Sequence, residues 1–379
     1  MKNILVIHQS AELYGSDKML LTLLSRIDRA VFNPIVILPG EGPLKEEFEK
    51  LGIRVFIAPV LKLYRDMFTP AKLLNFVKGY RQTMKILGKL HNEYKFDLVY
   101  SNTLAVLSGM LFARKKRLKH VWHVHEIIEH PKMIANGFAW LLNRYANTVI
   151  CISYACKDNL TKRQAGLEKK CVIIHNGLQT EGEGMALTNQ KEIFGFAPND
   201  IVVTLVGRIS RFKGHKWLMS SYIGYLRDTG IKLFIVGSTV PGQEFYLHEL
   251  EEMIKDHQLE NKVILLPFTK NMKAVWAATD IGVVPSTEPE PFGLVALEAM
   301  LAQKPVVASN HGGLTEIVVD NETGYLVHPG NEELLANAIK KLAYDEVLRA
   351  KLGNNGQERA FSHFSVTNYV AQISKILDA

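Results

Sequence analysis

The feature that most constrains this chain is a short, unbroken apolar stretch that recurs along its length. Residues 4–7, Ile-Leu-Val-Ile, form the first one. It shows no apolar–polar alternation, so as a strand it would be covered on both faces, as in a parallel sheet. A polar loop containing a glycine follows at 9–17. Met19, Leu20, Leu23 and Leu24 then fall at helical spacing. The same grammar predicts strands at 35–38, 55–58, 98–100, 121–123, 149–152 and 172–174, mostly separated by helical segments. Such alternation implies right-handed crossovers and a doubly wound sheet.

After His175-Asn176-Gly177 the pattern breaks. Residues 179–189 carry glycines and glutamates with little periodicity and read as a linker. The grammar then restarts, with strands expected at 201–205, 233–236, 263–266, 281–284, 305–308 and 324–327. Helices are expected at 217–228, 245–256, 273–278, 293–301, 332–344 and 365–377. A chain of 379 residues accommodates two domains of about 150–200 residues each. We place them at 1–180 and 190–360, with 361–379 as a terminal helix packing back on the first. In doubly wound sheets ligands sit outside the C-terminal strand ends, so a cleft between the domains is the expected site.

Several classes are disfavoured. The three cysteines, Cys151, Cys156 and Cys171, show no C-x-x-C or Cys/His ligand spacing, which argues against a disulfide framework or zinc site and for a reducing cytoplasm. Residues 1–10 read as a first strand rather than a signal peptide. No stretch approaches the roughly 18 apolar residues of a spanning helix. The net charge of +7 suits an anionic ligand or surface. Nucleic acid is not expected, because the basic clusters lack interleaved aromatics or a reader motif.

Three stretches in the second half carry chemistry. In 286–298, Glu290 stands between Pro289 and Pro291, which keep it out of helical backbone and in a loop at a helix mouth. Glu298 should lie on the helix beyond its first turn. Two carboxylates at different depths can address different parts of one ligand, such as ribose hydroxyls and a sugar. In Val206-Gly-Arg-Ile-Ser-Arg-Phe-Lys-Gly-His215, Arg208 and Lys213 bracket a loop after a strand, which suits a diphosphate. In His311-Gly-Gly-Leu-Thr-Glu316, paired glycines allow backbone to approach a ligand closely. In the first half, Gly15 and Ser16 follow the first strand and could bring amides to a phosphate, although no G-x-G-x-x-G is present. In Trp122-His-Val-His-Glu126, alternation puts His123 and His125 on one side, with His125 at the strand end. His-x-His also fits a metal, but no third ligand of obvious spacing accompanies it.

Taken together, these stretches resemble glycosyltransferase family 4, the group 1 retaining transferases of GT-B fold. The Glu-x7-Glu element, Asn176-Gly177, Val206-Gly-Arg208, Lys213-Gly214, Gly312-Gly313-x-x-Glu316 and Thr323-Gly324 stand in order over nearly the whole chain. The resemblance implies an α/β architecture of two Rossmann-like domains facing a central cleft, and a retaining hexosyl transfer from a nucleotide diphosphate-sugar. It implies catalytic roles for His125, Arg208, Lys213 and Glu290. Arg208 and Lys213 would neutralise the diphosphate, Glu298 would hold the ribose, and Glu290 and His125 would contact the sugar. Gly15 and Ser16 would approach the phosphates and acceptor. Phe292, Gly293 and Leu294 complete the expected donor site, with Asn176, Gly237, Phe268, Gly313 and Leu314 more peripheral. The donor is expected to be a UDP-sugar rather than a GDP-sugar, with no metal or cofactor. Two departures stand out: Tyr14 replaces the first of two usual glycines, and Pro267-Phe268 stands where a glycine is common.

The acceptor is expected to be a glycan or a lipid-linked glycan of the cell envelope. The segment 71–91 reads as an amphipathic helix with Lys72, Lys78, Arg81, Lys85 and Lys89, and Arg114-Lys-Lys-Arg-Leu-Lys119 adds a second basic cluster. Both suit peripheral contact with anionic lipid at the inner face of a membrane. The rival readings are an epimerase-like GT-B protein, or one that binds nucleotide-sugar without catalysis.

Overall fold

The structure, a computed structural model, describes residues 1–61, 70–179 and 189–379, and for 70–77 the backbone alone. The expected linker at 179–189 lies almost wholly outside the described residues, as does the Lys72 side chain. The chain divides into two compact units. Met1–Gly177 together with Val366–Ala379 forms the first, and Leu178–Ser365 the second.

The first unit contains β1 (Lys2–His8), β2 (Phe32–Leu38), β3 (Arg54–Ile57), β4 (Leu98–Asn102), β5 (Lys119–Val124), β6 (Thr148–Cys151) and β7 (Cys171–Ile173). Their order in the sheet is β3-β2-β1-β4-β5-β6-β7, and every pair is parallel. The second unit contains β8 (Val202–Val206), β9 (Lys232–Val236), β10 (Val263–Leu266), β11 (Ile281–Val284), β12 (Val306–Ser309) and β13 (Gly324–Val327). They lie in the order β10-β9-β8-β11-β12-β13, again all parallel. Both units are therefore Rossmann-like. In each, the strand order reverses beside the first strand, between β1 and β4 and between β8 and β11. At such a switch point the flanking loops part and leave a crevice for a ligand.

Burial follows the apolar runs. Ile4, Leu5, Val6 and Ile7 are all buried, because helices cover both faces of the sheet. The helices expected at 245–256 and 332–344 appear as Phe245–Asp256 and Glu332–Tyr344. Two elements differ from the sequence reading. The helix after β1 begins at Gly15, so Ser16 and Asp17 lie in its first turn rather than in the preceding loop. The helix expected at 217–228 is α-helical only over His215–Ser221 and then widens into a π turn, Tyr222–Leu226. There Arg227 N–H reaches the Tyr222 carbonyl, five residues back, at 2.9 Å, while the buried Tyr222 hydroxyl is tied to Ile231 O at 2.6 Å. The anchored ring holds its turn open, a preference that periodicity does not express. Among the described residues, no helix is long and apolar enough to cross a membrane.

The last helix, Val366–Asp378, belongs to the first unit. It buries Tyr369, Ile373 and Leu377 there. The Tyr369 hydroxyl donates to Met19 O at 3.3 Å, and Lys119 Nζ donates to Ile376 O at 3.1 Å. Ile373 is fully buried. Ile373→Ala should therefore destabilise the protein by about 2–5 kcal/mol, read as a lowered midpoint in thermal or denaturant unfolding.

Candidate functional site

In the second unit, the loops after β8, β11 and β12 meet. Gly214 makes the meeting possible. It has φ +74°, and a Cβ there would lie 1.7 Å from Pro285 O, so only glycine lets this loop press against the end of β11. Thr287 N–H donates to Phe212 O at 2.9 Å and ties the same two loops. Lys213 is thereby held with Nζ 2.5 Å from Glu290 Oε1, an ion pair in which the carboxylate side chain is 11% exposed. Ser286 Oγ donates to the same oxygen at 2.6 Å. Burial pushes the Glu290 carboxyl up, but the Lys213 charge and the hydrogen bonds from Lys213 and Ser286 outweigh it. The net pKa lies below the ordinary value.

The loop after β12 closes this corner. Gly312 has φ +62°, and a Cβ there would lie 2.5 Å from Glu290 O. The Gly313 amide donates to that carbonyl at 2.7 Å. The paired glycines thus hold the Glu290 loop, and the Gly313 N–H expected to serve a ligand is already engaged within the protein. His311 Nε2–H donates to Ser286 O at 2.8 Å.

Glu298 is the fifth residue of the helix Leu294–Leu301, which opens at Gly293 with φ 115°. It is half-buried, as is Leu294. Arg208 is exposed on the loop directly after β8. The Phe292 ring is buried and packs edge-on against Phe364, with centroids 5.8 Å apart, so this residue can offer a ligand only backbone. Leu314 is likewise fully buried. Gly237 directly follows β9 and passes close to Gly207 O, which a Cβ would approach to 1.9 Å. Phe268 is 63% exposed after β10.

In the first unit, side chains converge at the ends of β1, β4 and β5. His8 Nε2 lies 2.6 Å from Asp17 Oδ1, and His8 Nδ1 lies 3.0 Å from Asn102 Nδ2. His125 Nε2 lies 3.0 Å from Asn102 Oδ1. The His123 and His125 rings are 4.1 Å apart, on one side as the alternation implies. Burial drops the His123 pKa to about 3, and the Tyr100 hydroxyl meets its Nδ1 at 2.5 Å. Gly15 and Ser16 open the helix Gly15–Arg26, and Asp17 Oδ2 accepts from Tyr14 N–H at 2.9 Å. Asn176 is buried beyond β7. His8, Asn102 and Asp17 were not singled out from the sequence. The available signal was that His8 and Asn102 are polar residues ending apolar strands; Asp17, in the first turn of the following helix, carried no such mark.

Both domain types match family models. Residues 15–181 match the Glycosyltransferase Family 4 model, and 187–359 match Glycosyl transferases group 1. The chain belongs to the group 1, family 4-like glycosyltransferases of GT-B fold. It is 29% identical over 328 residues to the capsular polysaccharide biosynthesis glycosyltransferase CapM of Staphylococcus aureus, covering 82% of this chain and 81% of that one. It is 28% identical over 312 residues to the N-acetylgalactosamine-N,N'-diacetylbacillosaminyl-diphospho-undecaprenol 4-alpha-N-acetylgalactosaminyltransferase of Campylobacter jejuni, covering 80% and 78%. The crystal structure of Anabaena HepE in complex with UDP and glucose superposes with a TM-score of 0.85 at 28% identity, over 100% of both chains. The protein is accordingly a glycosyltransferase using a nucleotide-sugar donor.

Beside His125 stands Glu126, whose Oε2 accepts from His125 N–H at 3.0 Å and Leu104 N–H at 2.9 Å. Burial pushes its carboxyl up to about 7, against the opposing pull of those amides. A folded-state pKa above the unfolded value of 4.5 gives stability that is whole below pH 4.5 and lost as pH rises through about 7. Glu126→Gln keeps an acceptor oxygen and cannot ionise. Relative to wild type it should gain stability between pH 5 and pH 8, and thermal melts at the two values measure that gain.

Proposed function

We propose that this glycosyltransferase moves a sugar from a UDP-sugar to a hydroxyl of a lipid-linked cell-envelope glycan, with retention and without a metal. The observation that carries the reading is Lys213 fixed beside Glu290 at the switch point, with Arg208 on the same loop. The UDP and glucose of HepE support the donor. The names of CapM and of the undecaprenol-linked Campylobacter enzyme support the acceptor class.

In this reading the bond from the anomeric carbon to the diphosphate oxygen breaks, and its electron pair leaves with UDP. Arg208 and Lys213 stabilise that charge, the work otherwise done by a divalent cation. Glu298 holds the ribose hydroxyls. Glu290 and His125 hold hydroxyls of the sugar, and the amides at Gly15 and Ser16 serve the phosphate and acceptor side. Leu294 and Gly293 contribute backbone at the helix mouth. Glu290 is ion-paired and hydrogen-bonded, which makes it a poor nucleophile. The acceptor oxygen therefore attacks from the face the diphosphate leaves, and the departing diphosphate takes its proton.

A membrane-facing surface fits this acceptor. Lys78, Arg81, Lys85 and Lys89 are exposed on the helix Pro70–Tyr94, while Met84, Leu87 and Leu90 face the core. Arg114, Lys115 and Arg117 are exposed nearby in sequence. On the helix Lys132–Tyr145, Met133 and Trp140 are 72% and 50% exposed, and Arg114 and Arg144 both lie against Tyr145. Exposed Trp and Met flanked by cations suit an anionic lipid interface.

UDP should raise the thermal midpoint in the absence of metal. Lys213→Ala and Glu298→Ala should each cut turnover about 100-fold or more while the fold is kept. Near-normal turnover in either variant would remove the assignment. Of the four tryptophans, Trp122, Trp217 and Trp276 are buried, so bromine-labelled acyl chains should quench Trp140 fluorescence. We expect quenching with phosphatidylglycerol vesicles and not with phosphatidylcholine, and its loss in Trp140→Phe. Absence of quenching at low salt rejects the membrane contact.

A further inference from the structure

Polar side chains at the ends of β1, β4 and β5, with Asp17 on the helix after β1, form one continuous chain of hydrogen bonds, and the donors and acceptors along it set its direction. Asp17, His8 and Asn102 are 1%, 0% and 1% exposed, so water does not interrupt it. Asp17 sets the starting point. Burial pushes its carboxyl up, but the hydrogen bonds from His8, Tyr14 and Ser10 bring it below the ordinary value. It is therefore a carboxylate, which accepts hydrogen bonds and donates none.

The later links follow from the donor or acceptor that each atom faces. His8 Nε2, 2.6 Å from Asp17 Oδ1, must carry a proton. Its Nδ1 faces the Asn102 side-chain NH2, a donor, at 3.0 Å, closer than the Asn102 backbone carbonyl at 3.3 Å, and so accepts, which leaves His8 with a single proton on Nε2. With its NH2 turned to His8, Asn102 presents Oδ1 to His125 Nε2 at 3.0 Å, so this nitrogen too must carry a proton. Burial holds the His125 pKa well below its usual value, so the ring is neutral and has one proton to place. Its backbone is fixed separately, by the hydrogen bond that its N–H donates to Glu126 Oε2.

We propose that Asp17, acting through His8 and Asn102, fixes His125 in the Nε2–H tautomer and leaves Nδ1 as a hydrogen-bond acceptor for a hydroxyl of the transferred sugar. The role at the sugar rests on the function proposed above. The tautomer does not. Asp17, His8 and Asn102 are positioning residues in this scheme, since they act on the sugar only through His125. A side chain whose tautomer is fixed beforehand meets its hydroxyl without reorganising, which is where an enzyme's polar groups gain their effect. The opposite arrangement is also self-consistent. With His8 doubly protonated, Nδ1–H would donate towards Asn102, the amide would turn over, and His125 would become an acceptor at Nε2 and a donor at Nδ1. The two arrangements predict opposite tautomers.

Asp17→Asn tests the direction. Asp17 Oδ2 accepts from the Tyr14 backbone N–H, which cannot reverse, so the introduced amide must keep its oxygen there and turn its NH2 to His8. The chain should then run the other way and move the His125 proton to Nδ1. In protein labelled with 15N-histidine, two-bond proton–nitrogen correlations read each ring's tautomer, and His125→Gln identifies the His125 signal by its loss. We expect Nε2–H in the wild type and Nδ1–H in Asp17→Asn. We also expect kcat/KM for the donor to fall about tenfold in that variant, with UDP affinity unchanged. A wild-type Nδ1–H or doubly protonated ring overturns the proposal, and so does an unchanged tautomer in Asp17→Asn. Should that variant not fold, Asn102→Ala breaks the chain and should leave a mixture of tautomers, with a single unchanged tautomer again overturning it. Normal activity in His125→Gln would instead defeat the role of His125 at the sugar and leave the tautomer result standing.

Discussion

A strand in an all-parallel sheet is covered by helices on both sides, and that constraint shapes everything else in this molecule. Its side chains must be apolar in both directions, as in Ile4–Ile7, where each of the four is at most 1% exposed. Polar chemistry is left to the strand ends. The order of strands then selects which ends matter. Beside β1 and beside β8 successive crossovers diverge, and the loops there are not pressed together by a shared connection. His8, Asn102 and His125 gather at the first of these places, and Lys213, Glu290 and Gly312 at the second.

The Lys213–Glu290 pair shows how much such a corner depends on backbone. The two residues are brought together by a left-handed glycine pressed on Pro285 O and by a second one against Glu290 O. The lysine is balanced by a largely enclosed carboxylate that also accepts from Ser286. A diphosphate competing for Lys213 would leave that carboxylate needing new donors, and hydroxyl groups supply them. The two halves of a nucleotide-sugar would then be bound as a coupled exchange of partners rather than as independent contacts.

The thirteen strands among the described residues were legible from the apolar runs to within two or three residues, because two-sided burial leaves so plain a mark. The ends of helices were less so. Gly15 starts its helix earlier than the apolar spacing implies, and Tyr222 widens its turn because its hydroxyl has a fixed partner at Ile231. Of the candidate site, the residue types and their loops were legible, and the pairings were not. Lys213 and Glu290 lie 77 positions apart, and His8 and Asn102 lie 94 apart. Only the fold gives them a distance. Gly313 was legible as a close-approach residue, but which group its amide meets depends on a neighbouring loop. Phe292 lies within the Glu-x7-Glu stretch, yet its ring is buried against Phe364, a partner 72 positions on that no spacing rule connects to it.

The first unit is closed by Val366–Ala379, while the second is one continuous stretch of chain. During synthesis the second unit has all its residues before the first does. Domains generally form as units as the chain emerges, N-terminal first. Here the N-terminal unit lacks its cover over the surface around Met19 until residues 366–379 have been made. Completion of the His125-bearing unit therefore comes after that of the second, so a chain that stops before residue 366 holds all residues of the second unit and lacks part of the first.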